Sequence, residues 1–160
     1  MSTKSPEYGV VPPDVLLSYD GLSFLRALID GNLPAPPIAK TLGFRLVAVE
    51  QGYALFEGEP RFEYYNPLGT VHGGYAATLL DSALGCAIHT TMAKGEGYTT
   101  LELKINLVRP ITSEVGLLSA EGRVIHRGRS VAISEAQLKD RAGKLYAHAT
   151  TTCMIFPAQT

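Results

Sequence analysis

YNPLGTVHGGYAATLLDSALGCAI, residues 65–88, joins a Gly-rich turn to a run of small apolar residues that carries a single acid. From Tyr75 onward, Ala76, Leu79, Leu80, Ala83, Leu84, Ala87 and Ile88 recur at three- and four-residue steps, which predicts a helix with one apolar face. Small side chains at Ala76, Ala77, Ala83, Gly85 and Ala87 let strands approach that helix closely, and Ala-rich composition favours helix formation. Asp81 sits close to the apolar face, where an unpaired carboxylate would be costly to bury. It needs a reason.

Working outward, FRLVAVEQGYALFEGEP ahead of this stretch reads as a β-hairpin, with Phe44 to Glu50 alternating, Gln51-Gly52 turning and Tyr53 to Glu59 returning. Phe62, Tyr64 and Tyr65 in the link to the helix could line a pocket or fill the core, and core is the favoured reading. After the helix, Tyr98 to Val108 sets Leu101, Leu103, Ile105 and Leu107 against Thr100, Glu102, Lys104 and Asn106, a long strand with one apolar face. Val115 to His126, Ser130 to Asp140 and Lys144 to Ile155 supply three more strands, separated by Arg127-Gly128-Arg129 and Arg141-Ala142-Gly143. Two strands, one long helix and four strands do not alternate as a doubly wound fold requires; they suit one antiparallel sheet wrapped around one helix, an α+β fold. The exposed edges of such a sheet predict that subunits pair.

Nearer the N-terminus, residues 1–19 hold Pro6, Pro12 and Pro13 and are read as a poorly ordered lead. GLSFLRALIDG then places Leu22, Leu25, Leu28 and Ile29 on one helical face, with Asp20 as N-cap and Gly31 as the stop. The expected division is an N-terminal extension with a short amphipathic helix over residues 1–37 and a main domain over residues 38–160. A DNA-binding helix pair in the extension would have only Arg26 and Lys40 to offer phosphates.

A length of 160 residues is about one domain's worth. The net charge of −1 gives no sign of a polyanionic partner, so no nucleic acid is expected as a ligand. Cys86 and Cys153 form neither metal-ligand spacing nor a disulfide framework, which favours a reducing compartment. With no leader-like N-terminus and no apolar run near the roughly 18 residues of a span, the expectation is a cytoplasmic protein with no membrane partner.

The chemistry gathers at the helix start. The backbone N–H groups of Gly73 and Gly74 stand among the unpaired donors of the first turn, unshielded by side chains, and with the helix dipole behind them can receive an anion or a polarised carbonyl oxygen. Asn66 supplies an orienting amide and Asp81 a carboxylate for base or nucleophile work. Gly73 and Asp81 are eight residues apart, about 12 Å along a helix, whereas a catalytic carboxylate must come within about 3 Å of its target or of one intervening water. Two such helices packed antiparallel across a twofold axis would bring Asp81 of one subunit to the helix start of the other.

Asn66, His72-Gly73-Gly74, Leu80-Asp81, Thr100, Arg109-Pro110 and Gly128-Arg129 together resemble the hotdog-fold acyl-CoA thioesterases of the PaaI-like (phenylacetyl-CoA thioesterase) group, over roughly residues 38–155. The resemblance implies one long central helix wrapped by a curved six-stranded antiparallel sheet, a homodimer with paired sites at the subunit interface, and commonly a dimer of dimers. It also implies hydrolysis of a coenzyme A thioester with no metal and no bound cofactor. By the same resemblance Asp81 is the catalytic acid, as nucleophile or as general base, and Gly73 is the backbone donor to the thioester carbonyl. Asn66 orients water or thioester, His72 holds the turn and the thiolate end, and Thr100 lies near the acid's water. Gly74 joins the substrate-binding turn, and Arg109, Arg127 and Arg129 match by region as ligands of the coenzyme phosphates.

Other chemistries fit less well. There is no G-x-S-x-G elbow, and Ser82 lies mid-helix. His72, His89, His126 and His148 show no zinc-ligand spacing. A hotdog dehydratase would pair a catalytic histidine with an acid in a different local motif. A non-catalytic acyl-CoA-binding regulatory module is the alternative from another class; it predicts an attached DNA-binding segment or loss of the acid, whereas residues 1–40 are not basic and Asp81 is present.

Overall fold

The computed structural model describes residues 7–158. Strands β1 (Phe44–Glu50) and β2 (Tyr53–Gly58) form the hairpin, α4 (Gly73–His89) follows, and β3 (Glu96–Leu107), β4 (Leu118–Arg127), β5 (Val131–Asp140) and β6 (Leu145–Pro157) complete the chain. Three short helices precede β1: α1 (Pro13–Leu16), α2 (Gly21–Ile29) and α3 (Pro37–Leu42). All strand pairings are antiparallel, in the order β1-β2-β4-β5-β6-β3, so β1 and β3 are the sheet edges. The curved sheet wraps one face around α4, which is the hotdog arrangement. No helix among the described residues is long and apolar enough to cross a membrane.

The apolar positions read from the sequence are the helix's buried face: Ala76, Leu79, Leu80, Ala83, Leu84, Ala87 and Ile88 are all fully buried. Burying each Leu or Ile contributes roughly 1.5–3 kcal/mol. The sheet closes on this face through Ala54, Phe56, Leu118, Ala120, Leu138, Ala147 and Ala149. Gly122 of β4 permits the closest approach, since a Cβ there would overlap the Ala83 carbonyl. Ser134 of β5 donates its buried hydroxyl to the Leu84 carbonyl at 3.0 Å, a polar tie between sheet and helix.

The N-terminal region differs from its sequence reading. Residues 1–6 lie outside the described residues. Residues 7–19 are not a loose lead: Gly9 N–H donates to Ala35 O, Ala35 N–H donates to Glu7 O, and Pro13 opens α1 at a position where its missing donor costs nothing. Asp20 caps α2 by accepting from Ser23 N–H at 2.9 Å, as the sequence predicts. The start of α2 is fixed to the end of α4, because Gly21 N–H donates to Met92 O and a Cβ at Gly21 would overlap the His89 carbonyl. Ile29, expected on the apolar face, is 38% exposed, and Phe62, read as core, is 76% exposed.

A second correction concerns β3. Its register with β6 runs Tyr98↔Ile155 and Thr100↔Cys153, then Glu102↔Thr152 and Leu103↔Thr151, so Leu101 is a bulge. One extra residue moves every side chain beyond it to the opposite face. Tyr98 and Thr100 therefore face the helix together with Leu103 and Ile105, while Leu101 turns outward and is 57% exposed. Simple alternation had placed Leu101 on the apolar face and Thr100 on the polar one.

Candidate active site

The turn before α4 is built by Asn66. Its Oδ1 accepts from Leu68 N–H at 2.9 Å and from Thr70 N–H at 3.4 Å, its Nδ2 donates to Thr70 Oγ1 at 3.0 Å, and its backbone pairs with Thr70 O. Gly69, with φ of 87°, supplies the left-handed residue the turn needs. His72 is the N-cap: its Nδ1 accepts from Gly74 N–H at 2.9 Å, so that ring nitrogen is unprotonated in this geometry. His72 O accepts from Tyr75 N–H.

These bonds consume the donors of Gly74 and Tyr75 and leave that of Gly73. Among the described residues the Gly73 N–H has no acceptor. Gly73 lines a groove of about 280 Å³ together with Asn66, Thr70, Leu107, Arg109 and Ile111, among others. Leu107 packs so near that a Cβ at Gly73 would fall 2.7 Å from its Cδ1. The site thus offers one bare N–H at the positive end of a 17-residue helix, beside the Leu107 side chain. Arg109 lies at the same groove, with its Nε donating to Leu145 O at 3.2 Å.

Asp81 lies two turns further along α4. It is partly buried, and the Thr100 hydroxyl donates to its Oδ1 at 3.4 Å, a long contact that holds the two groups side by side. Thr100 also lies 3.9 Å from Cys153 Sγ. The Gly73 groove and the Asp81–Thr100 pair are not brought together within one chain, since both sit on the same straight element about 12 Å apart. Arg127 and Arg129 do not line the Gly73 groove. Arg127 pairs with Glu96 at 2.7 Å, donates to Thr91 Oγ1 at 3.2 Å and bonds Gly128 O, which staples the β4–β5 turn to the C-terminal end of α4. Arg129 is exposed beside Lys94 and Ser130.

The sequence reading missed two features. His89, at the end of α4, is packed between the rings of Phe24 and Tyr98, with centroids 5.2 and 5.3 Å away, and burial lowers its pKa to about 4. The Tyr75 hydroxyl is buried with no hydrogen-bond partner among the described residues, its ring stacked on Tyr64 at 4.9 Å. An apolar residue beside a histidine is too common a pattern to have signalled the first, and the second depends on β1 and β2 closing over the helix start.

Residues 68–147 match the thioesterase superfamily model. The chain belongs to the thioesterase superfamily. Members of this superfamily hydrolyse thioesters, and this chain is a thioester hydrolase of the hotdog fold. A phenylacetic acid degradation-related protein of Ralstonia eutropha superposes with a TM-score of 0.74 at 32% identity, over 82% of this chain and 98% of that one. Human acyl-coenzyme A thioesterase 13 is 28% identical over 80% of this chain and 91% of its own. A Streptococcus mutans protein solved with acetyl CoA bound superposes with a TM-score of 0.65 at 27% identity, over 73% of this chain and 91% of that one.

Proposed function

We propose that this thioester hydrolase acts on acyl-CoA, releasing the free acid and coenzyme A at two equivalent sites of a homodimer. Each site joins the Gly73 groove of one subunit to the Asp81–Thr100 pair of the other. The reading rests on the division of the constellation within one chain: a bare N–H and a polar groove at one place on α4, a carboxylate with a hydroxyl two turns away. Helices packed antiparallel about a twofold axis unite the halves. The free edge of β3, with Leu101, Leu107 and Val108 more than half exposed, supports pairing of subunits along it.

In this mechanism the thioester carbonyl oxygen accepts the Gly73 N–H. In the general-base route, Asp81 of the partner subunit takes a proton from water as the new C–O bond forms, and the charge moves to the oxyanion at the helix start. Collapse breaks the C–S bond, and the departing thiolate takes the proton from Asp81. In the nucleophile route Asp81 attacks the carbonyl carbon directly and the C–S bond breaks as the thiolate leaves; water then hydrolyses the acyl-aspartyl anhydride, one released proton passing to the thiolate and the other to solvent. Thr100 orients the carboxylate or its water in either case. Asn66, His72 and Gly74 hold the turn that aims Gly73, and Arg109 and Arg129 meet the coenzyme phosphates. Arg127 is left out of this set by its bonds to Glu96 and Thr91.

Mixed dimers test the proposal in a thiol-release assay with a panel of acyl-CoAs. Asp81→Ala and Gly73→Val should each be inactive alone. Mixed and allowed to exchange subunits, they should regain roughly a quarter of wild-type activity, because half the dimers then carry one intact site of two. No recovery despite exchange overturns the shared site. Tight binding with no thiol release from any member of the panel replaces hydrolysis with the binding-module reading.

A further inference from the structure

The matched family segment, residues 68–147, excludes α1, α2 and α3. These helices are not idle covering. Together with the C-terminal half of α4 they form an apolar cavity of about 370 Å³ that opens to solvent, lined by Val10, Leu16, Phe24, Leu28, Cys86 and His89 among others. All its lining side chains are aliphatic, proline or aromatic except the Cys86 thiol and the His89 ring. An adjoining cavity of about 270 Å³ shares Leu16, Phe24 and His89 and extends to Tyr98.

We propose that these cavities receive the tail of a straight aliphatic acyl chain, and that α1 and α2 set the chain length this enzyme accepts. The inference rests on the acyl-CoA reading above and deepens it. Its geometry starts from Asp81, where the carbonyl carbon must be held. Cys86 is five residues further along α4 and His89 eight, about 8 and 12 Å along the axis. Acetyl, and an aromatic ring one carbon from the carbonyl, end short of the cavity, whereas a chain of roughly eight or more carbons reaches into it over that distance.

The surface crossed on the way suits an alkyl chain. Ser82, half-buried beside Asp81, turns its hydroxyl back onto its own helix, donating to Thr78 O at 2.7 Å. Gly85 beside it is buried under Tyr98, whose hydroxyl oxygen would lie 3.2 Å from a Cβ there, so the route runs past Ser82 to the half-buried Cys86. The path ends at Phe24 and at a His89 that burial keeps neutral down to about pH 4, and the one charged residue lining the second cavity, Glu96, is held in its ion pair with Arg127. Proximity to the acid is registered at the cavity wall: after burial, the Asp81 charge is the further cause that raises the Cys86 thiol to about 12.

Two measurements test this. The first is calorimetric binding of acetate, hexanoate and decanoate to the full chain, which needs no turnover. Affinity should rise with length by up to roughly fourfold per methylene buried. The second is kcat/KM for acetyl-, hexanoyl- and decanoyl-CoA in wild type, Leu16→Trp and Leu16→Ala. Leu16 is 39% exposed, so the fold tolerates both changes. The tryptophan should fill the cavity and lower the decanoyl-to-acetyl ratio tenfold or more, and the alanine should move the preferred length upward. Equal affinity for all three acids, or a length profile that neither variant changes, overturns the proposal. Decanoate binding with no thiol release from any ester would instead sink the acyl-CoA hydrolase reading and leave the cavity's assignment standing.

Discussion

The Thr100 hydroxyl stands 3.4 Å from Asp81 Oδ1, although regular alternation along β3 from Leu107 would turn Thr100 away from the helix. The bulge at Leu101 reverses the facing between Thr100 and Leu103, so a polar residue and the apolar core positions share one side. Bulges often re-aim a side chain next to an active site, and here the re-aimed group reaches the one acid of α4.

Removing that hydroxyl while keeping the shape tests what it does. Under the proposed mechanism Thr100→Val should lower kcat about tenfold with little change in KM, since a contact that positions the proposed acid acts mainly on the chemical step. Thr100→Ser should restore most of the loss. Steady-state kinetics on one acyl-CoA decide it, and a Val variant with wild-type kcat would assign the contact to packing alone.

Gly122→Ala should be strongly destabilising, by at least about 2 kcal/mol, because backbone of α4 occupies the place of the new methyl and the helix cannot withdraw without opening the core. Urea unfolding at neutral pH reads this as a lower midpoint with an unchanged slope.

Tyr75→Phe should act the other way. The buried hydroxyl finds no partner among the described residues and burial raises its pKa, so removing it discards an unpaid desolvation cost. A gain of up to about 1 kcal/mol is expected. Loss of stability would mean that an ordered water satisfies the group.

Acid stability should carry the signature of His89. Its folded pKa of about 4 lies below the 6.5 of the free side chain, so between these values the unfolded chain binds the extra proton and stability falls as pH falls. The loss begins near pH 6.5 and is complete below about 4; at pH 5 it amounts to about 2 kcal/mol relative to pH 7.5. The packed neighbours, Phe24 and Tyr98, bring no opposing charge in that range. His89→Phe should flatten this limb of the unfolding profile, measured against wild type at each pH.

The sequence by itself determined the elements and their order. Hydrophobic spacing marks α4 because only one face of that helix can enter the core, and Asp20 and Gly52 mark a helix start and a hairpin turn by local hydrogen bonding and backbone freedom. It also bounded the site, since Gly73 and Asp81 on one helix cannot approach each other whatever surrounds them. What lay beyond it was long-range. The bulge at Leu101 depends on the register of β3 against β6, and the order of Pro12, Pro13 and Tyr8 depends on a surface that α2 and α3 create only after packing. Arg127, the last residue of β4, is two residues from Arg129, yet only the packing of the β4–β5 turn against Glu96 and Thr91 commits its guanidinium to an internal ion pair. The neutrality of His89 and the cavity beside it likewise come from Phe24, far away in the chain, and Tyr98, on the following strand, being pressed against one turn of helix. Local spacing fixes which groups exist on which element; the dielectric around them and the partners they meet are properties of the packed whole.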